Sequence, residues 1–285
     1  AATAGAHPDD PLSAAVDPLS FLGLRPADLG TLRVGWTTDF GACDVDPMIR
    51  RTFAAKLEAM RGWFAACEEL RFELSDVHRC FDVLRAEAFV AGTREAYERD
   101  PASLGPNPRA NYEMGLRMSL GDAAWAQTEQ TRILRRFLHT ARGVDVVIAP
   151  TTPVSPFPWT RPHADVIDGR PQANYYRWLA LTYVVTLTTL PAITLPCGTD
   201  EAGLPFGLQV VGRFRGDAAL LQVALALEAA GRGDPRLARP RPGVAALRPA
   251  SPPLRSISCR DQSLAGLAAS LAATSTHAMP WWRPG

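Results

Sequence analysis

Lysine occurs once in this chain, at Lys56, against 29 arginines. Only the amine can serve as a base near neutral pH, because the guanidinium pKa stays above about 12. Any mechanism that needs a lysine base therefore has a single candidate. That candidate lies in Asp46-Pro-Met-Ile-Arg-Arg-Thr-Phe-Ala-Ala-Lys56, with no serine near it in sequence. No Gly-Gly-Ser run occurs either, so nothing has the composition of a glycine-rich loop built to present a serine nucleophile.

Histidine and cysteine offer less. His7, His78, His139, His163 and His277 show neither metal-ligand spacing nor a Ser–His–acid pattern. Cys43, Cys67, Cys80, Cys197 and Cys259 are odd in number, dispersed and free of any Cys-x-x-Cys pair. Reduced thiols in a cytosolic protein fit that pattern better than a disulfide framework or a zinc site. Cys197 follows a segment of core type and reads as a buried thiol. No metal and no cofactor are expected.

The hydroxyl pair Thr151 and Thr152 is more useful, because Pro150-Thr-Thr-Pro153 directly follows an apolar run. Ligands in α/β folds gather at strand ends, so both threonines are candidates for substrate hydrogen bonding. Capping of their own turn is the competing reading. Gln209, in mid-strand, is expected to satisfy backbone groups. Tyr175-Tyr-Arg-Trp178 reads as helix packing, with a pocket wall as the alternative. The arginines of 236–248 lack aromatic interleaving, which argues against nucleic acid.

Several elements must position these groups. Apolar residues 31–36 and 145–150 read as buried strands, the second stopped by Pro150 and covered on both faces in the manner of α/β sheets. Residues 192–195 and 208–211 read as two more. Asp46-Pro47 starts a helix with Phe53, Leu57 and Met60 inward and Lys56 beside them. Ser75-Asp76 opens another, to about Arg99, with Val77, Phe81, Leu84 and Ala88 on one face. Residues 100–108 read as loop from their proline and glycine content. Helices are expected over 121–142, 174–185 and 218–230, the first with Trp125, Thr128, Ile133, Phe137 and Leu138 near its inner face. From 231 onward Arg, Pro, Ala and Gly dominate without periodicity, which predicts a disordered tail over 231–285 that holds at most a short helix at 263–273.

With 285 residues and 47% hydrophobic content the chain can bury a sizeable core. A net charge of +1 gives no reason to expect nucleic acid or an anionic membrane surface. No apolar run reaches the roughly 18 residues of a membrane span, and residues 1–10 do not form a signal peptide. The absence of an initial Met suggests processing or a start inside a longer frame. A cytoplasmic location is the resulting expectation.

Four stretches together resemble the amidase signature family. They are Thr186-Leu-Thr-Thr-Leu-Pro-Ala-Ile-Thr-Leu-Pro-Cys-Gly198 with Gly203-Leu-Pro-Phe-Gly-Leu-Gln-Val-Val-Gly212, then Ala4-Gly-Ala-His-Pro-Asp-Asp-Pro-Leu-Ser13, Val144-Asp-Val-Val-Ile-Ala-Pro-Thr-Thr-Pro153, and the segment 212–228. The likeness covers about residues 1–230 and implies an α/β fold, the C-terminal part of an α/β/α sandwich around a large mixed sheet. Family members often have Asn-Leu-x-Gly-x-Pro where this chain has Thr186-Leu-Thr-Thr-Leu-Pro191. Threonine at the glycine position removes backbone freedom there.

The resemblance also implies a reaction, amide hydrolysis through an acyl-serine formed by a Ser–cis-Ser–Lys triad. The Gly/Ser-rich block that carries this triad in the family has no counterpart here, so no catalytic residue is assigned to this chain. It is expected to be inactive alone and to meet a small-molecule amide substrate, at Thr151 and Thr152, only when completed by an N-terminal half. Two alternatives stand beside this reading. One is a pseudoenzyme or binding remnant that associates with a complementary fragment, another subunit or its own copies. The other is a part resembling the amidase-family component of an aminoacyl-tRNA amidotransferase, which works inside a complex.

Overall fold

The computed structural model describes residues 4–10, 13–158 and 160–241. The first strand, β1 (Arg33–Trp36), pairs in parallel with β2 (Ala66–Glu69) on one side and with β3 (Val146–Pro150) on the other. Beyond β3 the sheet turns antiparallel through β7 (Pro205–Val211) to β6 (Ala192–Thr199), giving the order β2-β1-β3-β7-β6. The result is a mixed five-stranded sheet flanked by helices. All five residues of β3 are buried, as its continuous apolarity predicts for a strand covered on both faces.

Helix α1 (Pro47–Met60) begins as the sequence indicates. The carboxylate of Asp46 accepts from the Met48 amide at 2.8 Å and Pro47 opens the first turn. Its Phe53 meets Trp36 edge-on. Helix α6 (Asp217–Gly231) packs on β6 and β7, and Leu227 lines one cavity together with Leu195 and Leu208. Strand alternation puts Trp36, Ile148, Leu195 and Leu208 on one sheet face, so α1 and α6 cover the same side. The opposite side carries α5 (Ala180–Thr188), tied to the sheet where the Gln209 amide donates to the Leu181 carbonyl at 3.2 Å. That bond is the structural role expected of Gln209. Outside α5 lie α2 (Val77–Arg99) and α4 (Leu120–Thr140), with α3 (Pro106–Leu116) against α2. A two-stranded ribbon, β4 (Val166–Ile167) with β5 (Arg170–Pro171), lies apart from the main sheet.

Several sequence expectations need correction. Residues 100–108 are not simply loop: Asp100 caps a 3-10 turn at Pro101–Ser103, and Pro106 opens α3. Proline in a first helical turn costs no hydrogen bond, so it starts helices as readily as it ends them. The inner face of α2 is Val77, Cys80, Val83 and Ala86, while Phe81 and Leu84 are half-buried and Ala88 is exposed. On α4 the inner face is Ala126, Glu129, Ile133 and Phe137, which turns Thr128 and Leu138 outward. The helix expected at 174–185 starts later, as a 3-10 turn at Arg177–Leu179 leading into α5.

Helix α5 ends at Thr189 with φ of 55°. Glycine adopts this left-handed conformation freely and a β-branched residue does not. The threonine noted in Thr186-Leu-Thr-Thr-Leu-Pro191 thus stands where a helix C-cap asks for positive φ. Packing also continues past Gly231, since Leu237 is buried in the core. The disorder expected beyond 241 and the short helix expected at 263–273 lie outside the described residues.

Candidate functional site

Where β3 ends, its partner β7 is just beginning. The Thr151 amide donates to the Gly207 carbonyl at 3.0 Å, and its hydroxyl lies 3.5 Å from that of Thr194 on β6. The two threonines meet across β7 because the residue between them has no side chain. A Cβ on Gly207 would stand 2.9 Å from the Thr151 hydroxyl and 3.3 Å from the Thr194 methyl. Ala192, Thr194 and Pro196, on the same side of β6, are exposed. The outer edge of β6 has no strand partner among the described residues. Together these residues make a patch of the α5-bearing sheet face, towards the β6 edge, that is left exposed with two hydroxyls at its centre.

Thr151 and Thr152 therefore have different surroundings. The Thr152 hydroxyl donates to the Val154 carbonyl at 3.1 Å within its own turn. Among the described residues the Thr151 hydroxyl makes only the long contact to Thr194, so it is open to a further partner. The loop behind them is pinned by a bond the sequence does not announce: the Ser155 hydroxyl donates to the buried Asp200 carboxylate at 2.5 Å. Asp200 also accepts from the amides of Ala202 and Leu204, both at 2.9 Å. Asp followed three residues later by Gly203 signals this turn, but Ser155 is far away in sequence.

Lys56 is buried on the other face of the sheet. Its ammonium donates to the Arg236 carbonyl at 2.5 Å and pairs with no carboxylate at ion-pair distance among the described residues. Burial holds its pKa below the ordinary lysine value, against the opposing pull of the Cys197 thiol, Asp200 and Asp234. Cys197 is itself buried, and burial pushes its thiol up to about 11, only partly offset by Lys56. A thiol held in that form is a poor nucleophile.

A second polar cluster, spread through the sequence, joins α2 to the start of α5. Nε2 of His78 must carry the proton, because its partner at 2.8 Å is the Ala42 carbonyl. Nδ1 then accepts from the Tyr183 hydroxyl at 2.5 Å. Arg177 donates at 2.8 Å to Tyr183 and at 2.8 Å to Asp82, whose other oxygen accepts from Tyr176 at 2.8 Å. The residues 175–178 are packing residues in this respect, with Tyr175 accepting from Arg85 and Asn111, each at 2.8 Å. No group of three or more potential metal ligands occurs among the described residues.

Burial, and next the Arg177 charge, hold the His78 pKa below its ordinary value. Between about pH 6.5 and that lower value the unfolded chain binds a proton that the folded chain refuses. Stability from this group is therefore complete above pH 6.5 and declines on acidification below it. Urea unfolding at pH 7.5 and 5.5 should show this loss, and His78→Gln should flatten it, since glutamine retains one donor and one acceptor without titrating. An equal acid response in the variant would refute the assignment.

A mixed sheet between helices, with hydroxyls at a strand end and an open edge beside them, defines an α/β protein with a polar site at its strand ends. The comparisons narrow this to a family. The model of the family described as Amidase matches residues 2–221, and the chain belongs to the amidase family. Among its relatives are glutamyl-tRNA(Gln) amidotransferase subunits. The one from Lysinibacillus sphaericus (strain C3-41) is 28% identical over 254 residues, covering 80% of this chain and 51% of that protein. The one from Prochlorococcus marinus (strain MIT 9211) is 43% identical over 99 residues, 35% of this chain and 19% of its own length. The chain spans about half the length of the curated relatives it matches over most of its own. A bacterial aryl acylamidase of the amidase signature family superposes with a TM-score of 0.70 at 17% identity, over 81% of this chain and 49% of that one. At that identity the likeness speaks for the fold alone. No helix among the described residues is long and apolar enough to cross a membrane.

Proposed function

We propose that this chain is the C-terminal half of a carbon–nitrogen hydrolase and forms the substrate wall of a complete amidase at Thr151. The observation that carries this reading is the exposed patch of sheet face around Thr151 and Thr194, beside the open edge of β6. A hydroxyl can accept from an amide N–H and donate to its carbonyl, so Thr151 suits an amide and Thr152 shapes the loop that presents it. The serine nucleophile, its lysine base and the oxyanion donors come from the complementary half, and without it the chain is inactive. Residues 1–230, with the turn that buries Leu237 packed on them, act as the partial domain, in the cytoplasm, with no metal or cofactor.

The test is reconstitution. A polypeptide covering the N-terminal half of a matched relative is mixed with this chain, and ammonia release from a primary amide is measured. The chain alone should release none and the mixture should turn over. Thr151→Val, which keeps the shape and removes the hydroxyl, should lower kcat/KM by about tenfold, the worth of one hydrogen bond. Turnover by the isolated chain, abolished by a serine-directed inhibitor, would sink the proposal. The relatives' names favour a second reading, a part of an amidotransferase component that works with other subunits. The same face and edge would serve a scaffolding remnant or a homo-oligomer, which reconstitution distinguishes by association without turnover.

A further inference from the structure

The side of the sheet opposite Thr151 holds a cavity of about 550 Å³, within the usual range for small-molecule sites. Met60 and Trp63 form one wall, Leu195 and Leu208 the sheet wall, and Leu227 and Leu237 the third. The third wall and the charged lining residues Glu228, Arg232, Arg239 and Arg241 follow residue 221, where the family match ends.

That third wall is built in advance. Asp234 accepts from the Arg236 amide through its side chain at 2.9 Å, and its carbonyl accepts from Leu237 at 2.9 Å and Ala238 at 2.8 Å. The only lysine of the chain then clamps the turn, through the Lys56 bond to the Arg236 carbonyl. Gly198 permits this approach, for a Cβ there would lie 2.3 Å from the same carbonyl oxygen. At the rim Glu228 and Arg232 pair at 3.6 Å. Arg239 and Arg241 are exposed and form no ion pair among the described residues, so the mouth carries surplus positive charge.

We propose that this cavity binds a carboxylate with an apolar tail, the tail against Trp63 and the leucines and the carboxylate at Arg239 and Arg241. A lining dominated by Met60, Trp63 and four leucines asks for hydrocarbon, and two exposed guanidiniums that form no ion pair among the described residues ask for an anion. The site is independent of the amide-hydrolysis reading and does not fall with it.

The probes are dodecanoate and dodecan-1-ol, titrated calorimetrically into the full chain. Both should bind saturably at one per chain, dodecanoate more tightly. Exchanging both arginines (Arg239→Ser with Arg241→Ser) should weaken dodecanoate by about tenfold, a charge-assisted contact's worth, and leave the alcohol unchanged. Ala238→Trp, which fills the cavity from its outer wall, should abolish both while the melting temperature holds. Equal affinity of dodecanoate for the wild-type and double-arginine proteins would overturn the proposal. So would the absence of saturable binding.

Discussion

Arg177→Met should cost about 3 kcal/mol of stability, the scale of breaking a largely buried ion pair by removing one partner. The Arg177 side chain is 12% exposed and that of Asp82 25%. Methionine fills similar space but leaves the Asp82 carboxylate with Tyr176 as its remaining side-chain partner and takes a donor from Tyr183. A double-mutant cycle with Asp82→Asn isolates the pair, and a coupling of about 1–3 kcal/mol is expected from residues in direct contact. The Arg51–Glu201 pair is the control. It is bidentate, at 2.9 and 2.8 Å, yet lies in solvent, where removing Arg51 should change the urea midpoint marginally. Equal effects at the two sites would show that the network around His78 holds the fold no more firmly than an ion pair in water.

Gly41→Ala should be nearly as damaging, for a different reason. Gly41 has φ of 68°, and a Cβ there would stand 2.0 Å from the Phe72 carbonyl oxygen. A backbone atom cannot swing aside as a side chain can, so the loop that carries Ala42 must move. The expected cost is about 3 kcal/mol, from overpacking together with positive-φ strain, or a melting temperature lower by roughly 6–12 °C. Gly143 separates the two causes. Its φ is 92°, but nothing lies within 4 Å of its Cβ position, so Gly143→Ala should cost only the strain, about 1 kcal/mol. Similar losses at both positions would mean that the Phe72 contact is immaterial.

Legibility in the sequence followed the range of the interactions. The start of α1 was readable because Asp46, Pro47 and the Met48 amide that Asp46 caps are adjacent in the chain. The burial of β3 was readable because five consecutive residues share it. By contrast β2 carries Glu68 and Glu69 and shows no apolar alternation, so only its pairing with β1 makes it a strand. Helix α3 was hidden by prolines that also mark loops. For α2 the helix was evident and its inner face was not, because both candidate stripes contain apolar residues and the neighbouring α4 selects between them.

For the site the division is similar. The family, the buried strands, the Thr151-Thr152 turn after β3 and the single lysine were all legible in the chain, since each is a matter of residue type and short spacing. Tertiary structure decided what those residues do. It brought Thr194 over Gly207 to Thr151, spent the Thr152 hydroxyl on its own turn and assembled His78, Tyr183, Arg177 and Asp82 from separate segments. It also placed Lys56 beneath a turn 180 residues away in sequence. Such contacts depend on how separate elements pack, and packing is selected by the free energy of the whole core, which no local window of sequence contains.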